Sequence, residues 1–203
     1  MKIFCIGWNY VGHNAEMERQ QPTDPTIFMK PDTALLRENR PFYIPHFSSE
    51  VAYEAELVVR INRLGKNIDE RFASRYYDAV AFGIDFTARD LQRRLRAAGQ
   101  PWEIAKAFDG SAAISPFVPL EALDNPHDID FALHCNGGEV QHGHTRDMLF
   151  GIDRLIAYIS RFFFLKMGDL IYTGTPAGTG SVAIGDHLEG FIEGTKMLDC
   201  RIK

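Results

Sequence analysis

Glu54 and Glu56 stand two residues apart in the run Val51-Ala52-Tyr53-Glu54-Ala55-Glu56-Leu57-Val58-Val59-Arg60-Ile61. Rich in Val, Ile and Tyr, and bounded by Ser48-Ser49 and Gly65, the run reads as one β-strand. Side chains alternate across a strand, so both carboxylates would leave the same face, about 7 Å apart along it. Carboxylates that close repel each other unless a cation, a shared proton or water relieves them. A hard divalent ion, Mg²⁺ or Mn²⁺, takes such oxygen donors. A solvated strand face carrying two glutamates accounts for the same pattern without an ion.

Other residues offer matching chemistry. Asp85 ends the apolar segment Ala79 to Ile84 and precedes Thr87-Ala88-Arg89-Asp90, which has the spacing of a capping box. A carboxylate at such a junction is well placed as a ligand or a catalytic group. Arg89 and Gln92, three apart, would share a helix face turned toward Asp85. A guanidinium fork there suits a carboxylate-bearing substrate. Arg93, Arg94 and Arg96 continue around the helix toward solvent. His13 and Glu16 are also three apart, as a general-base pair or as a surface ion pair. Lys106, among apolar neighbours, is a clamp for developing negative charge or a snorkelling surface lysine. Thr173-Gly174-Thr175-Pro176-Ala177-Gly178-Thr179-Gly180 lacks the Gly-Lys-Ser/Thr of a phosphate loop. Its backbone N–H groups and the Thr175 hydroxyl suit close approach by an anion. His142-Gly143-His144 hints at a metal pair, yet without the further His or carboxylate partners of a zinc site.

These side chains need elements to hold them. Short strands are expected at Lys2 to Ile6, at Thr26 to Met29 with Lys30 following, and at the C-terminal end from His187 onward. A weak helix is expected over Val11 to Gln20, with Asn9 as a candidate N-cap, able to act as a lid. Asp69 to Val80 reads as a helix capped by Asp69, with Phe72, Tyr76 and Val80 on one face. Asn136-Gly137-Gly138 marks a hairpin between Ile129 to Asn136 and Glu139 to Gly143. Asp147 to Phe164 reads as an amphipathic helix burying Met148, Ile152, Leu155, Ile156 and Ile159.

The chain has 203 residues, 45% of them hydrophobic and 12% aromatic, enough for one substantial core and against disorder. A net charge of −5, with no Lys/Arg block, gives no reason to expect nucleic acid. The three cysteines, Cys5, Cys135 and Cys200, are scattered, as suits reduced thiols in a cytoplasmic protein. No signal-peptide core and no membrane-spanning run is present, and no repeat or linker divides the chain.

Taken in order, the motifs resemble the fumarylacetoacetate hydrolase family. They are Gly7-Trp8-Asn9-Tyr10-x-x-His13-x-x-Glu16, Tyr53-Glu54-x-Glu56-Leu57, Gly83-x-Asp85-x-Thr87-Ala88-Arg89-Asp90-x-Gln92, Lys106-x-Phe108-Asp109, Asn136-Gly137 with Gln141, and Gly168-Asp169 with Thr173-Gly174-Thr175-Pro176-x-Gly178. They run from about Ile3 to Ile202. The resemblance is nearest to the small branch of acylpyruvases, oxaloacetate decarboxylases and 2-hydroxyhepta-2,4-diene-1,7-dioate isomerases, without the extra N-terminal domain of the longer hydrolases. It implies an α+β fold, a β-rich mixed β-sandwich roll with flanking short helices, as a single catalytic domain over residues 1–203 and a homodimer. It implies Glu54, Glu56 and Asp85 as ligands of Mg²⁺ or Mn²⁺, and His13 and Glu16 as a lid dyad that activates or positions water. It also implies Arg89 and Gln92 as substrate-holding residues, Lys106 as the cation beside an enolate or oxyanion, and Thr175 as a contact of the substrate carboxylate. Two positions depart from the pattern. Ala52 stands where many relatives have His, and Ile84 where relatives often have Asn or Tyr; the first bears on tuning of the metal.

Three carboxylates leave half an octahedral shell open, where a 2-oxo acid can chelate through its carboxylate and 2-oxo oxygen. The expected activity is cleavage of C–C bonds in small 2-oxo acids through a metal-held pyruvate enolate, as acylpyruvate hydrolysis or oxaloacetate decarboxylation. The alternatives are isomerisation of a hydroxy-diene-dioate and metal-dependent binding without catalysis.

Overall fold

A computed structural model describes residues 1–16, 20–125 and 128–203. In chain order the strands are β1 (Ile3–Gly7), β2 (Thr26–Lys30), β3 (Leu35–Leu36), β4 (Val51–Tyr53), β5 (Ala55–Ile61), β6 (Tyr77–Asp85), β7 (Thr87–Ala88), β8 (Ala112–Ile114) and β9 (Val118–Pro119). They continue as β10 (Asp130–Cys135), β11 (Gly138–His144), β12 (Leu170–Tyr172), β13 (Gly180–Ser181), β14 (His187–Ile192) and β15 (Thr195–Arg201). The α-helices are α1 (Val11–Glu16), α2 (Arg89–Ala97), α3 (Glu103–Lys106) and α4 (Ile152–Phe162).

The largest sheet runs β2-β1-β12-β5-β6-β8-β3, with β9 alongside β6. Its β1–β12 and β3–β8 pairs are parallel and the rest antiparallel, so the sheet is mixed. A second sheet, β11-β10-β14-β15, is wholly antiparallel. Apolar residues of the two sheets close a common core, where Phe82 of β6 meets Phe131 of β10 edge-on at 6.4 Å. The sheets approach closely at Gly190 of β14, where a Cβ would fall inside contact distance of the Phe82 ring. This is the β-rich α+β roll expected from the sequence. None of its described helices is long and apolar enough to cross a membrane.

Five local expectations are corrected. The run from Val51 to Ile61 is two strands, broken at Glu54. There the Glu54 carbonyl accepts from Asp85 N at 2.8 Å, and Ala55 N donates to the Gln141 side chain at 2.8 Å. β4 joins β13 and β7 in a third, small sheet, while β5 stays in the largest one. The Asp69 cap is present, accepting from Arg71 N, but the helix behind it is a 3-10 segment, Glu70–Tyr76. Val80 lies instead in β6, whose apolar run pairs with β5 and β8; tertiary pairing overrides the helical spacing. Asn9 does not cap α1. Its amide donates to Phe150 O and Thr173 O, and its Oδ1 accepts from Phe150 N. That anchoring, with Leu149 N donating to Asn9 O, holds residues 149–150 out of the helix expected from Asp147, so α4 begins at Ile152. Thr87 does not cap α2, whose preceding residue Ala88 makes no side-chain cap. Within residues 11–20, positions 17–19 lie outside the described residues.

The hairpin is as expected. Asn136 and Gly137 both have positive φ, 53° and 84°, the conformation that a tight two-residue turn requires.

Candidate active site

The break at Glu54 has a chemical consequence. Glu54 sits at the joint between two sheets, Glu56 on the second residue of β5, and Asp85 at the end of β6, which pairs with β5. One carboxylate oxygen from each lies within 4.8 Å of the others, and all three residues are buried. Burial, then Asp85 and Glu54, push the Glu56 carboxyl well above the usual range. Its Oε2 accepts from Gly174 N at 2.7 Å, on the Gly-rich loop. Burial works to raise Glu54 as well, but Lys106 and Arg89 outweigh it and hold its pKa at about 2. Three buried carboxylates whose oxygens converge within 4.8 Å fit the donor set of a hard divalent cation.

Lys106, the last residue of α3, reaches into this cluster. Its Nζ lies 2.7 Å from Glu54 Oε2, 2.8 Å from Asp85 Oδ2 and 2.6 Å from Thr87 Oγ1. The ammonium is buried, so the snorkelling reading is excluded. Burial disfavours its charge, yet Asp85 and Glu54 prevail and raise its pKa. Arg89 opens α2 with Nη2 2.8 Å from Glu54 Oε1, while its Nη1 donates to Gln92 Oε1 at 2.9 Å. The helical spacing thus brings Arg89 and Gln92 to the carboxylates as expected. Arg93 pairs with Glu50 at the surface. Arg96 does not point freely to solvent; it covers the Trp8 ring at 5.2 Å.

His13 projects from α1, buried, with its ring stacked on Trp8 at 5.6 Å between centroids. Trp8 has φ +66°, a left-handed backbone uncommon for a bulky residue, and that turn aims the indole at His13. Burial, above all, lowers the His13 pKa, against the opposite pull of Glu54. Glu16 is near but not bonded: His13 Nδ1 lies 3.8 Å from Glu16 Oε2, and that oxygen accepts from Gly178 N at 3.1 Å. Thr175 is buried in the same wall, its hydroxyl accepting from Gln141 Nε2 at 2.9 Å. His13, Glu54, Glu56, Arg89, Gln92, Lys106 and Thr175 all line one cleft, which Ile6, Gly7, Trp8, Phe28 and Trp102 complete.

Three contributors escape a sequence reading. Lys30 ends β2 with Nζ 2.8 Å from Asp85 Oδ1, both side chains fully enclosed. It also donates to Ser111 O at 3.1 Å, to Ser111 Oγ at 2.9 Å and to Lys106 O, tying α3 to β2. Thr87 bonds Lys106, and Gln141 braces Ala55, Thr175 and Pro176 from across the hairpin. Gln141 lies in a quoted motif, but nothing in its spacing reveals what it holds.

Comparison with known proteins places the sequence and the backbone. The family model for the fumarylacetoacetate hydrolase C-terminal domain matches residues 2–203. Oxaloacetate tautomerase YcgM of Escherichia coli is 40% identical over 194 residues, 95% of this chain and 89% of that protein. The mitochondrial oxaloacetate tautomerase of Bos taurus is 36% identical over 201 residues, 99% of this chain and 91% of that one. Among solved structures, fumarylpyruvate hydrolase from Pseudomonas aeruginosa in complex with Mn²⁺ and pyruvate superposes with a TM-score of 0.94 at 35% identity, covering 100% of this chain and 89% of that one. Sequence and backbone therefore agree, and the chain belongs to the fumarylacetoacetate hydrolase family, a family of enzymes.

Proposed function

We propose that this chain is a divalent-cation-dependent enzyme acting on small 2-oxo acids through a pyruvate-type enolate. Cleavage beyond C3, as in acylpyruvate hydrolysis or oxaloacetate decarboxylation, and tautomerisation of oxaloacetate both use that enolate. The observation that carries the reading is the buried Lys106 ammonium held between Glu54 and Asp85 at the floor of the cleft.

Glu54, Glu56 and Asp85 would hold Mg²⁺ or Mn²⁺, which when bound would supply Lewis-acid polarisation of the carbonyl of a 2-oxo acid. Charge balance favours a dianion. The three carboxylates are matched by Lys30, Lys106 and Arg89, so a divalent cation leaves an excess of positive charge. A dicarboxylate such as oxaloacetate cancels it. Arg89 and Gln92 take one substrate carboxylate, the Thr175 hydroxyl takes the other, and Lys106 stabilises the oxygen on which enolate charge develops. Buried and kept neutral, His13 is fitted to take and return the C3 proton.

Tautomerisation is favoured over hydrolysis by one distance. At 3.8 Å, with Glu16 bonded to Gly178, the His13–Glu16 pair is not a formed water-activating dyad. The same chain, as a single catalytic domain over 1–203, is proposed to work as a homodimer in the cytoplasm.

The test is turnover of enol-oxaloacetate, oxaloacetate and acetylpyruvate with Mg²⁺, followed by enol absorbance and by pyruvate release, for the native chain and His13→Ala. Enol-to-keto conversion that collapses in His13→Ala supports tautomerisation, and pyruvate release from acetylpyruvate supports cleavage. Failure to turn over any of the three, with metal bound, leaves only a binding role.

A further inference from the structure

Outside the cleft, the described residues contain two further groupings of imidazole and carboxylate with metal-compatible spacing, both on the four-stranded sheet. One, of His187, Glu189 and Asp199, already holds an organic cation. Lys196 Nζ lies 3.0 Å from both Glu189 Oε1 and Asp199 Oδ2, neutralising its two carboxylates. The other, of Asp130, His142 and His144, is built differently.

Asp130 on β10 pairs in register with His144 on β11, and His142 stands two residues before His144 on the same strand face. His142 Nε2 bonds Asp130 Oδ2, and His144 Nε2 lies 3.3 Å from that same oxygen. The two imidazoles are nearly parallel, with centroids 5.4 Å apart. Behind them, Asp128 Oδ1 lies 3.6 Å from His144 Nδ1, near the ring without a hydrogen bond to it. The nearby guanidinium, Arg146, bonds Asp128 Oδ2 at 2.8 Å and not Asp130. One donor atom from each of Asp130, His142 and His144 lies within 4.8 Å of the others.

We propose that Asp130, His142 and His144 form a second metal site, for a borderline cation such as Zn²⁺, Ni²⁺ or Co²⁺. Two imidazoles and one carboxylate select these ions, while the oxygen-only trio of Glu54, Glu56 and Asp85 suits Mg²⁺ or Mn²⁺. The hairpin supplies the missing carboxylate: the two histidines are close in sequence, whereas Asp130 reaches them through strand pairing. The cation replaces the proton shared by His142 and Asp130, so uptake releases a proton and weakens in acid. Asp130, bonded to its ring, and Glu139, 3.5 Å from its Nδ1, favour the protonated form of His142. The opposite face of β11 carries Gln141, which holds the Thr175 loop, so an ion bound here braces a strand that shapes the cleft.

The experiment is Zn²⁺ uptake by the full chain in excess Mg²⁺, by equilibrium dialysis and metal analysis. The comparison is native protein, His142→Ala/His144→Ala, Asp130→Asn and, as a control on the other cluster, His187→Ala, each checked for folding by circular dichroism. The native chain and His187→Ala are expected to take up one Zn²⁺ per chain more than the double variant, with weaker uptake by Asp130→Asn. The extra Zn²⁺ should be lost on lowering the pH below the imidazole range. Equal uptake by native and double variant, or a loss confined to His187→Ala, overturns the proposal. If the double variant is unfolded, undiminished uptake by folded Asp130→Asn overturns it instead.

Discussion

The Lys30 ammonium lies 2.8 Å from Asp85 Oδ1 with both side chains sealed from solvent. Lys106 approaches the other oxygen of the same carboxylate at 2.8 Å. Asp85 is thus clamped from two sides by cations from β2 and α3, and two separate segments of chain meet on one buried carboxylate.

Breaking a buried pair by removing one partner leaves an uncompensated charge. Lys30→Met should therefore cost about 3–5 kcal/mol of folding stability. Urea denaturation with cation present and absent checks this. A cost indistinguishable from zero would mean that Asp85 does not depend on Lys30.

Lys106→Met should lower kcat about 10²–10³-fold, the usual loss on deleting one preorganised group facing developing charge. Lys106→Arg should not restore it, because a planar fork cannot reproduce three contacts made by one nitrogen. Steady-state kinetics with a parallel measurement of Tm separates this from misfolding. Rescue by Arg would reduce Lys106 to a bulk charge.

Burial lowers the His13 pKa, so the neutral, base-competent ring persists to lower pH than an ordinary imidazole of pKa about 6.5. The acid limb of kcat/KM for a 2-oxo acid should fall below that value and vanish in His13→Gln. The sign for stability follows from the same shift. Between the folded and unfolded pKa the unfolded chain binds more protons, so this group's contribution is present above the unfolded value and lost as pH falls through the window. An acid limb at or above 6.5 would contradict the burial seen here.

Gly190→Ala should destabilise by about 1–3 kcal/mol, since its Cβ would press into Phe82 at the contact between the two large sheets. Denaturant midpoints check it; an unchanged midpoint would show that the sheets can part there without cost.

How far the sequence foretells this site depends on how local each contact is. Glu54 and Glu56 at strand spacing, and Arg89 and Gln92 at helical spacing, are legible because each pair belongs to one stretch of backbone. The break at Glu54 is not, because its causes are Gln141 and Asp85, partners that only the folded sheet supplies. Lys30 reads as any lysine after a strand, and its burial follows from α3 and Ser111 closing over it. The helix expected over Asp69 to Val80 fails for the opposite reason: Phe72, Tyr76 and Val80 keep helical spacing, but Phe72 is exposed and Val80 enters a central strand. The carboxylate partner of His142 and His144 is likewise hidden, lying across the hairpin at Asp130.

Glu54, Glu56 and Asp85 are proposed to hold a divalent cation that a 2-oxo acid chelates. Mn²⁺ binding, followed by electron paramagnetic resonance in the native chain, Glu56→Gln and Asp85→Asn, with and without oxalate, tests it most directly. Saturable binding that oxalate tightens is expected in the native chain and lost in both variants, together with 2-oxo acid turnover abolished by EDTA and restored by Mn²⁺. Undiminished Mn²⁺ binding in both variants, or turnover indifferent to EDTA, would contradict it.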